Sequence, residues 1–590
     1  MERQELQALI MSQAPLPTDQ QREAIFATDL EYLLRAAPGS GKTWTACRRF
    51  IWRAANWPHE VGGIALLSFT NVAIREFQDA ASKLGQGQLL CDPNYLGTFD
   101  AFVERFILGP FGHLLVGAKK RPMLYRSIRP GDRNNAKLQC WTAIGGKNIP
   151  VYAWDIIPAI ESDKVVFKTT SDYGSKQLDT AKANAAITEL LKLGFYTHAQ
   201  RAYLANRLLR LRPHITSRLA LRFPEIIIDE AQDTNVWLLR LLDKLREEGA
   251  RITLVGDPDQ CIYSFAMADA SSLFALREKW QIPEHPLDKS FRCNDHIALA
   301  VKNMGSNPGF TGRGDLGGEF RRPFVFRETK VNFSDSIGVF NNLLAKAGIA
   351  QKESAIICRA KDHLESVRGQ VNYANLTGIT KRLAEAAFFR DCRKDYKTAF
   401  DRVEAILREL IWDDETWETL DESPESAPAD HFRETLWRFI KSEKGLPPVS
   451  LNGDVWVATM KDRMTALIAD LGAAPVATLG NKIQKRGLKA DQFALPLFEE
   501  QKLFPSIRHD TIHQVKGESI GAVLVIGSTK FWNSVVTAVT TGINNEERRL
   551  AYVAMTRAKD LLVLCLPSSH YDNCIEQWRS WGFEPGGPQS

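Results

Sequence analysis

Residues 33–44, LLRAAPGSGKTW, constrain the fold more tightly than any other stretch. Leu33 to Ala37 is a run of strand length, apolar except for Arg35. After Thr43, the segment WTACRRFIWRAA spaces Ala46, Cys47, Phe50, Ile51 and Ala54 at helical period. A glycine-rich loop therefore joins a buried strand to a helix N-terminus. The backbone of Ala37, Gly39, Ser40 and Gly41 in such a loop points N–H groups at phosphate oxygens, helped by the helix start. Lys42 then reaches the β and γ phosphates of a nucleotide, and the Thr43 hydroxyl ligates Mg²⁺. The strict pattern wants glycine where this chain has Ala36. A glycine turn with a chance lysine is the competing reading, and the flanking strand and helix weigh against it.

The same design recurs along the chain. GIALLSFTN ends at Thr70 and Asn71, EIIIDEAQD at Asp229 and Glu230, and ITLVGDPDQ at Asp257, with Gln260 just beyond. In an open parallel sheet, ligands bind beyond the carboxyl ends of the strands. Asp229 is placed to hold Mg²⁺ opposite Thr43, Glu230 to orient and deprotonate a water, and Gln260 to sense a γ-phosphate. Taken alone, Asp-Glu after a strand also reads as a helix N-cap. A second set of strands, SAIICRA (354–360), AVLVIGS (522–528) and DLLVLCLP (560–567), implies a second α/β core without its own phosphate loop. Such a core contributes arginines across a cleft, with Arg292 and Arg557 as candidates. A positive group at a transferring phosphate accelerates the reaction roughly 10³–10⁵-fold; a surface ion pair is the plainer alternative for each.

At 590 residues the chain has room for several domains. Its net charge of +5 permits a nucleic-acid partner without arguing for one. Nine scattered cysteines with no C-x-x-C pair point to a reducing compartment and away from zinc or iron–sulfur sites. No apolar run approaches the roughly 18 residues of a membrane span, and MERQELQALI is no signal peptide, so a cytoplasmic protein with no membrane partner is expected. Linkers or loops are expected at 305–318, 421–430 and 584–590.

With these residues in view, the chain resembles superfamily 1A DNA helicases of the UvrD/Rep/PcrA type, from about residue 16 to 567. PTDQQREAI resembles the Q motif, AAPGSGKT motif I in its alanine-first form, SFTNVAIREF motif Ia and GTFDAF motif Ib. IIIDEAQD resembles motif II, LVGDPDQCIYSF motif III, LDKSFRC motif IV, TIHQVKGES motif V and EERRLAYVAMTRAKD motif VI. The resemblance implies an α/β protein of two RecA-like parallel-sheet cores, 1A and 2A, with mainly helical insertions, 1B and 2B. The expected bounds are 1–110 and 196–300 for 1A, 111–195 for 1B, 301–375 and 506–590 for 2A, and 376–505 for 2B. It further implies ATP and Mg²⁺ between the cores and 3′→5′ movement on single-stranded DNA, with tailed duplexes as substrates. Gln21 would read adenine, and Phe291 would replace the family's tyrosine against the ring. The DNA track would comprise Phe69, Thr70, Asn71, Tyr263, Phe265 and His513, since aromatic rings stack on any base. Phe69 and Phe265 also read as core residues, and the basic clusters at 119–122 and 482–489 as solvated faces.

Several positions depart from the family pattern. Trp44 stands where the family places an arginine against adenine; a ring can stack there instead, which alters base selectivity more than binding. Asp100 replaces a histidine in motif Ib, Ala266 an arginine in motif III, and KGES the usual KGLEF, leaving the role of Glu518 open. Only 33 residues follow Arg557, so no fused RecB-type nuclease is expected. The compact insertions resemble accessory helicases paired with nucleases, such as the helicase subunit of the Gabija anti-phage system. On that reading the chain is a DNA-sensing ATPase that regulates a partner nuclease and unwinds feebly without a partner or an oligomer.

Overall fold

The computed structural model describes residues 3–586 except 14, 118–119, 126–134, 145–146, 172–173, 263–269, 315–317, 330–332, 361–362, 365–366, 368–377, 393, 412–416, 418–426, 452, 474–482 and 484–506. The chain divides into two compact units, one spanning 1–127, 135–364 and 506–590, the other 365–505 with 128–134.

The first unit opens with β1 (Leu33–Ala36), β2 (Ile64–Ser68) and β3 (Tyr95–Thr98). An inserted region follows, with β4 (Met123–Leu124), β5 (Gln139–Ile144), β6 (Lys147–Tyr152), β7 (Ile157–Glu161), β8 (Lys164–Ser171), β9 (Gly174–Leu178) and β10 (Phe195–Tyr196). The chain then adds β11 (Glu225–Ile228), β12 (Arg251–Gly256) and β13 (Glu284–Leu287). The resulting sheet has the order β13-β1-β12-β11-β2-β3, and every pairing is parallel. Its inner strands are rich in apolar residues, as strands buried on both faces are. Alternate residues divide between two cores: Leu33, Leu67 and Ile226 on one side, Leu34, Leu66 and Ile227 on the other. Parallel pairing puts the carboxyl ends of β1, β11 and β12 on one edge. The residues expected to bind phosphate therefore meet there.

β14 (Pro323–Glu328), β15 (Ser354–Cys358), β16 (Arg508–Thr511), β17 (Ile520–Ile526), β18 (Ala558–Pro567) and β19 (Glu584–Pro585) form a second parallel sheet, in the order β16-β15-β17-β18-β14-β19. The three strands expected from sequence are its β15, β17 and β18.

The first insertion corrects one expectation. In place of a mainly helical region, β5–β6 is an antiparallel hairpin and β7-β8-β9 an antiparallel sheet. The cause is local. Ser162 and Asp163 both have positive φ (46° and 63°), as a two-residue hairpin turn requires, and the β-branched Val165, Val166, Thr169 and Thr170 follow in β8. The second unit is helical, with Gly378–Cys392, Tyr396–Leu410, Ala427–Lys441 and Gly453–Asp470 packed around Leu383, Val403, Leu436 and Trp456. Among the described residues, no helix is long and apolar enough to cross a membrane.

Candidate active site

β1 runs into Ala37, whose N–H donates to Leu287 O on β13 at 2.8 Å. Gly39 and Gly41 follow with left-handed φ of 72° and 82°. A Cβ on Gly39 would also stand 2.5 Å from the Cβ of Arg292, so glycine is required there by conformation and by space. The helix Lys42–Ala55 begins on Gly41. By position, the N–H groups of Lys42, Thr43 and Trp44 have no acceptor inside that helix. Ser40 Oγ is buried without a partner. The loop is thus a concave row of donors.

Facing it, Asp229 follows β11 and Glu230 adopts φ 53°, a region that costs a non-glycine residue about 1–3 kcal/mol. Asp229 is fully buried and no side chain donates to either carboxylate oxygen. Burial and the charge of Glu230 push its carboxyl up to about 7, with Lys42 and the Glu230 N–H offsetting only part. Burial also acts on Glu230, but there Lys42, Lys516 and the Gln232 amide win and hold the carboxyl low, at about 2. Lys42 Nζ lies 3.0 Å from Glu230 Oε2. Burial disfavours its charge, yet Glu230, Asp257 and Asp229 together keep it above the ordinary lysine range. One ammonium therefore serves three carboxylates. The unsatisfied oxygens of Asp229 beside the Thr43 loop are hard donors that suit a divalent cation. No cluster of three or more ligating side chains is found among the described residues.

The second core reaches into the same edge. Arg557 is fully buried; its Nη2 donates to Gln260 Oε1 at 2.9 Å, its Nε to Val553 O at 3.0 Å and its Nη1 to Glu518 O at 3.3 Å. Gln260 Nε2 in turn donates to Asp257 Oδ2 at 2.7 Å. Arg292 donates to Ser519 Oγ at 2.7 Å, Thr556 O at 3.1 Å and Gly517 O at 3.4 Å. The GES turn of 517–519 thus holds both arginines through its backbone and Ser519. The Glu518 carboxylate points elsewhere, to a bidentate pair with Arg508 at 2.6 and 2.8 Å. Sequence reasoning missed Gln232, which bridges the carboxylate of Glu230 and the N–H of Asp257, and the pair Asp233–Lys516. All three lie inside quoted motifs, in DEAQD and HQVKG, which was the signal available.

At the base end, Gln21 is already engaged: Oε1 accepts from Thr18 N at 3.0 Å and Nε2 donates to Ser40 O at 3.0 Å. It closes the capping box of the helix Asp19–Phe26 and ties that helix to the phosphate loop. Trp44 lies half-buried under the Arg48 guanidinium, 3.5 Å from its ring centroid, and Arg48 is fixed by Gln13 at 2.7 Å. Phe291 is 39 % exposed beside the loop, its N–H donating to Gly39 O at 2.8 Å.

The expected DNA residues divide. Thr70 and Asn71 are exposed beyond β2, with Thr70 Oγ1 capping the helix Asn71–Lys83. Phe69 is half-buried against Phe99 at 5.9 Å. His513 Nε2 lies 3.3 Å from Ile262 O across the cleft. Tyr263, Phe265 and Ala266 lie outside the described residues. Asp100 is paired with the buried Arg201 at 2.7 Å.

Two parallel-sheet cores, with a phosphate-type loop on one and arginines entering from the other, define a P-loop NTPase of the two-core type. The UvrD/REP helicase N-terminal domain model matches residues 17–127 and 159–281, and the UvrD-like helicase C-terminal domain model matches 488–569. DNA helicase II of Haemophilus influenzae is 23 % identical over 642 residues, covering 93 % of this chain and 84 % of that protein. DNA helicase II of Escherichia coli is 23 % identical over 627 residues, covering 92 % and 84 %. ATP-dependent DNA helicase PcrA of Bacillus subtilis is 24 % identical over 305 residues, covering 49 % and 39 %. The chain belongs to the UvrD/REP helicase family and is an enzyme of the helicase class.

Proposed function

We propose that the chain hydrolyses ATP with Mg²⁺ between its two cores and uses the cycle to move 3′→5′ on single-stranded DNA, opening tailed duplexes. The observation that supports this most is the convergence on one edge of Lys42, Asp229, Glu230 and Gln260 with Arg557 from the other core. Thr43 and Asp229 would hold Mg²⁺, which would supply positive charge at the phosphates. Without nucleotide, Lys42 neutralises Glu230. A γ-phosphate competes for Lys42 and releases Glu230, whose carboxylate then orients the attacking water. Gln260 passes from Arg557 to the phosphate, and Arg557 follows it, which couples hydrolysis to closure of the cleft.

The test is strand displacement by purified protein on duplexes with a 3′ or a 5′ single-stranded tail, alongside DNA-stimulated ATPase. Opening of the 3′-tailed substrate alone is expected, and preferential opening of the 5′-tailed one refutes the direction. A second reading, a DNA-sensing ATPase subunit of a nuclease complex of the Gabija kind, is favoured by Asp100, whose carboxylate repels phosphate and binds Arg201 instead. It predicts robust ATPase with feeble unwinding until a nuclease partner or a multimer forms.

A further inference from the structure

The first insertion carries an aromatic row that the cleft does not use. In the β5–β6 hairpin, Gln139 pairs with Tyr152 and Trp141 with Pro150, so Trp141 and Tyr152 share one face on a diagonal within reach of large side chains. The opposite face holds Cys140 and Val151, which are 2 % and 4 % exposed and supply the core. Trp141 is 52 % exposed. Tyr152 stacks on Trp154 at 4.7 Å with planes 5° apart, and Trp154 stacks on Tyr125 at 5.6 Å and 17°. Tyr125 is braced edge-on by Phe195 at 5.6 Å, and its N–H donates to Tyr196 O at 2.7 Å. Among the described residues, Trp154 is the sole ring neighbour of Tyr152, so the stack ends there.

Charge supplies the second observation. Residues 111–195 hold thirteen Lys and Arg against seven Asp and Glu, a surplus of six, while the surplus of the whole chain is five. The positive excess of this protein therefore resides in the insertion. Stacked rings in a segment of positive net charge match the π-faces and phosphates of an unpaired strand. A duplex offers the same phosphates but keeps its base faces covered.

We propose that the Trp141–Tyr152 face of this hairpin is a second contact for single-stranded DNA, outside the cleft, where unpaired bases continue the Tyr152–Trp154–Tyr125 stack. The proposal rests on the DNA reading above, and the experiment separates the two. Fluorescence anisotropy is measured with labelled oligothymidylates of about 8 and about 25 nucleotides and with a blunt duplex, on wild type, Trp141→Ala, Tyr152→Ala and Tyr152→Phe. DNA-stimulated ATPase is followed in parallel, since it reports the cleft. The alanine variants should bind the long oligomer roughly tenfold more weakly, the equivalent of one stacked base. Their affinity for the short oligomer and their maximal stimulated ATPase should stay at the wild-type level, and Tyr152→Phe should bind as wild type does. Unchanged affinity for the long oligomer overturns the proposal, as does a loss confined to the duplex. Absence of DNA stimulation in the wild type itself would instead sink the functional reading. If Tyr152→Ala lowers the melting temperature, Trp141→Ala decides the outcome, because its side chain is half in solvent.

Discussion

Lys516 Nζ lies 2.7 and 2.6 Å from the two carboxylate oxygens of Asp233, joining the two cores through side chains that are 10 % and 8 % exposed. Asp233 stands four residues beyond Asp229, and Lys516 stands three beyond His513, so the pair couples the acidic edge of the first core to motif V of the second. Burial pushes the Asp233 carboxyl up to about 6 even with Lys516 beside it.

Lys516→Ala leaves a buried carboxylate unpaired, at a cost of about 3–5 kcal/mol. The melting temperature should fall, and the ratio of DNA-stimulated to basal ATPase should fall with it. Asp233→Asn combined with Lys516→Met should recover most of the melting temperature but not the ratio. A double variant that melts as low as the single one would show that the ion pair is not the source.

Arg557→Ala should bind nucleotide normally and lose turnover by roughly 10³-fold, about 4 kcal/mol of barrier. Glu230→Gln should also bind nucleotide and stall before hydrolysis, because Thr43 and Asp229 remain. Nucleotide affinity from a fluorescent analogue, set against single-turnover rates, decides each. An affinity loss as large as the rate loss would show that the residue holds the ground state rather than the transition state.

Trp44 and Phe291 flank the loop on which Gln21 is anchored. Trp44→Ala and Phe291→Ala should each weaken ATP binding by about 0.5–1.5 kcal/mol, the range for stacked ring pairs, and should narrow the preference for ATP over CTP. Arg48→Ala should act in the same direction and more weakly, since Arg48 orients the ring. Competition titrations with the two nucleotides check this. An equal loss of inorganic triphosphate affinity would place the effect at the phosphates instead.

His570 gives a stability prediction with a sign. The Trp578 indole N–H donates to His570 Nε2 at 3.0 Å, so Nε2 carries no proton, and Nδ1–H donates to Asn533 Oδ1 at 2.6 Å. Burial lowers the imidazole pKa to about 4. Above pH ~6.5, folded and unfolded chains are both neutral at this position and it contributes no pH dependence. As pH falls from ~6.5 towards 4, the unfolded chain takes up a proton that the folded one refuses, so stability declines by on the order of 2 kcal/mol. Urea titrations at neutral pH and near pH 4.5 should show a steeper loss for the wild type than for His570→Gln.

What the sequence disclosed was whatever sits close together along the chain. The run from Leu33 to Trp44 and the pairs Asp229-Glu230 and Asp257–Gln260 carry strand, loop and function within a few residues. What it hid was contact over distance: Asp233 meets Lys516 across 283 positions and Gln260 meets Arg557 across 297. Their residue types are unremarkable until the cores close on each other. The strands of the first insertion were hidden for another reason. The turn at Ser162–Asp163 lacks the glycine that usually marks a hairpin. Gln21 is expected from the resemblance to read adenine, and its amide is spent here on Thr18 N and Ser40 O, contacts that the sequence did not disclose.

The stretch leaving β13 places two neighbours on opposite sides of the cleft. Phe291 is bonded to the backbone of Gly39 in the phosphate loop, and Arg292 is fastened to Gly517, Ser519 and Thr556 in the second core. The crossing between cores therefore runs directly against the phosphate loop, and one peptide bond separates the residue fastened to that loop from the residue fastened to the second core. A substitution that displaces Gly39 is felt by both cores at once, because a Cβ there would meet the side chain of Arg292.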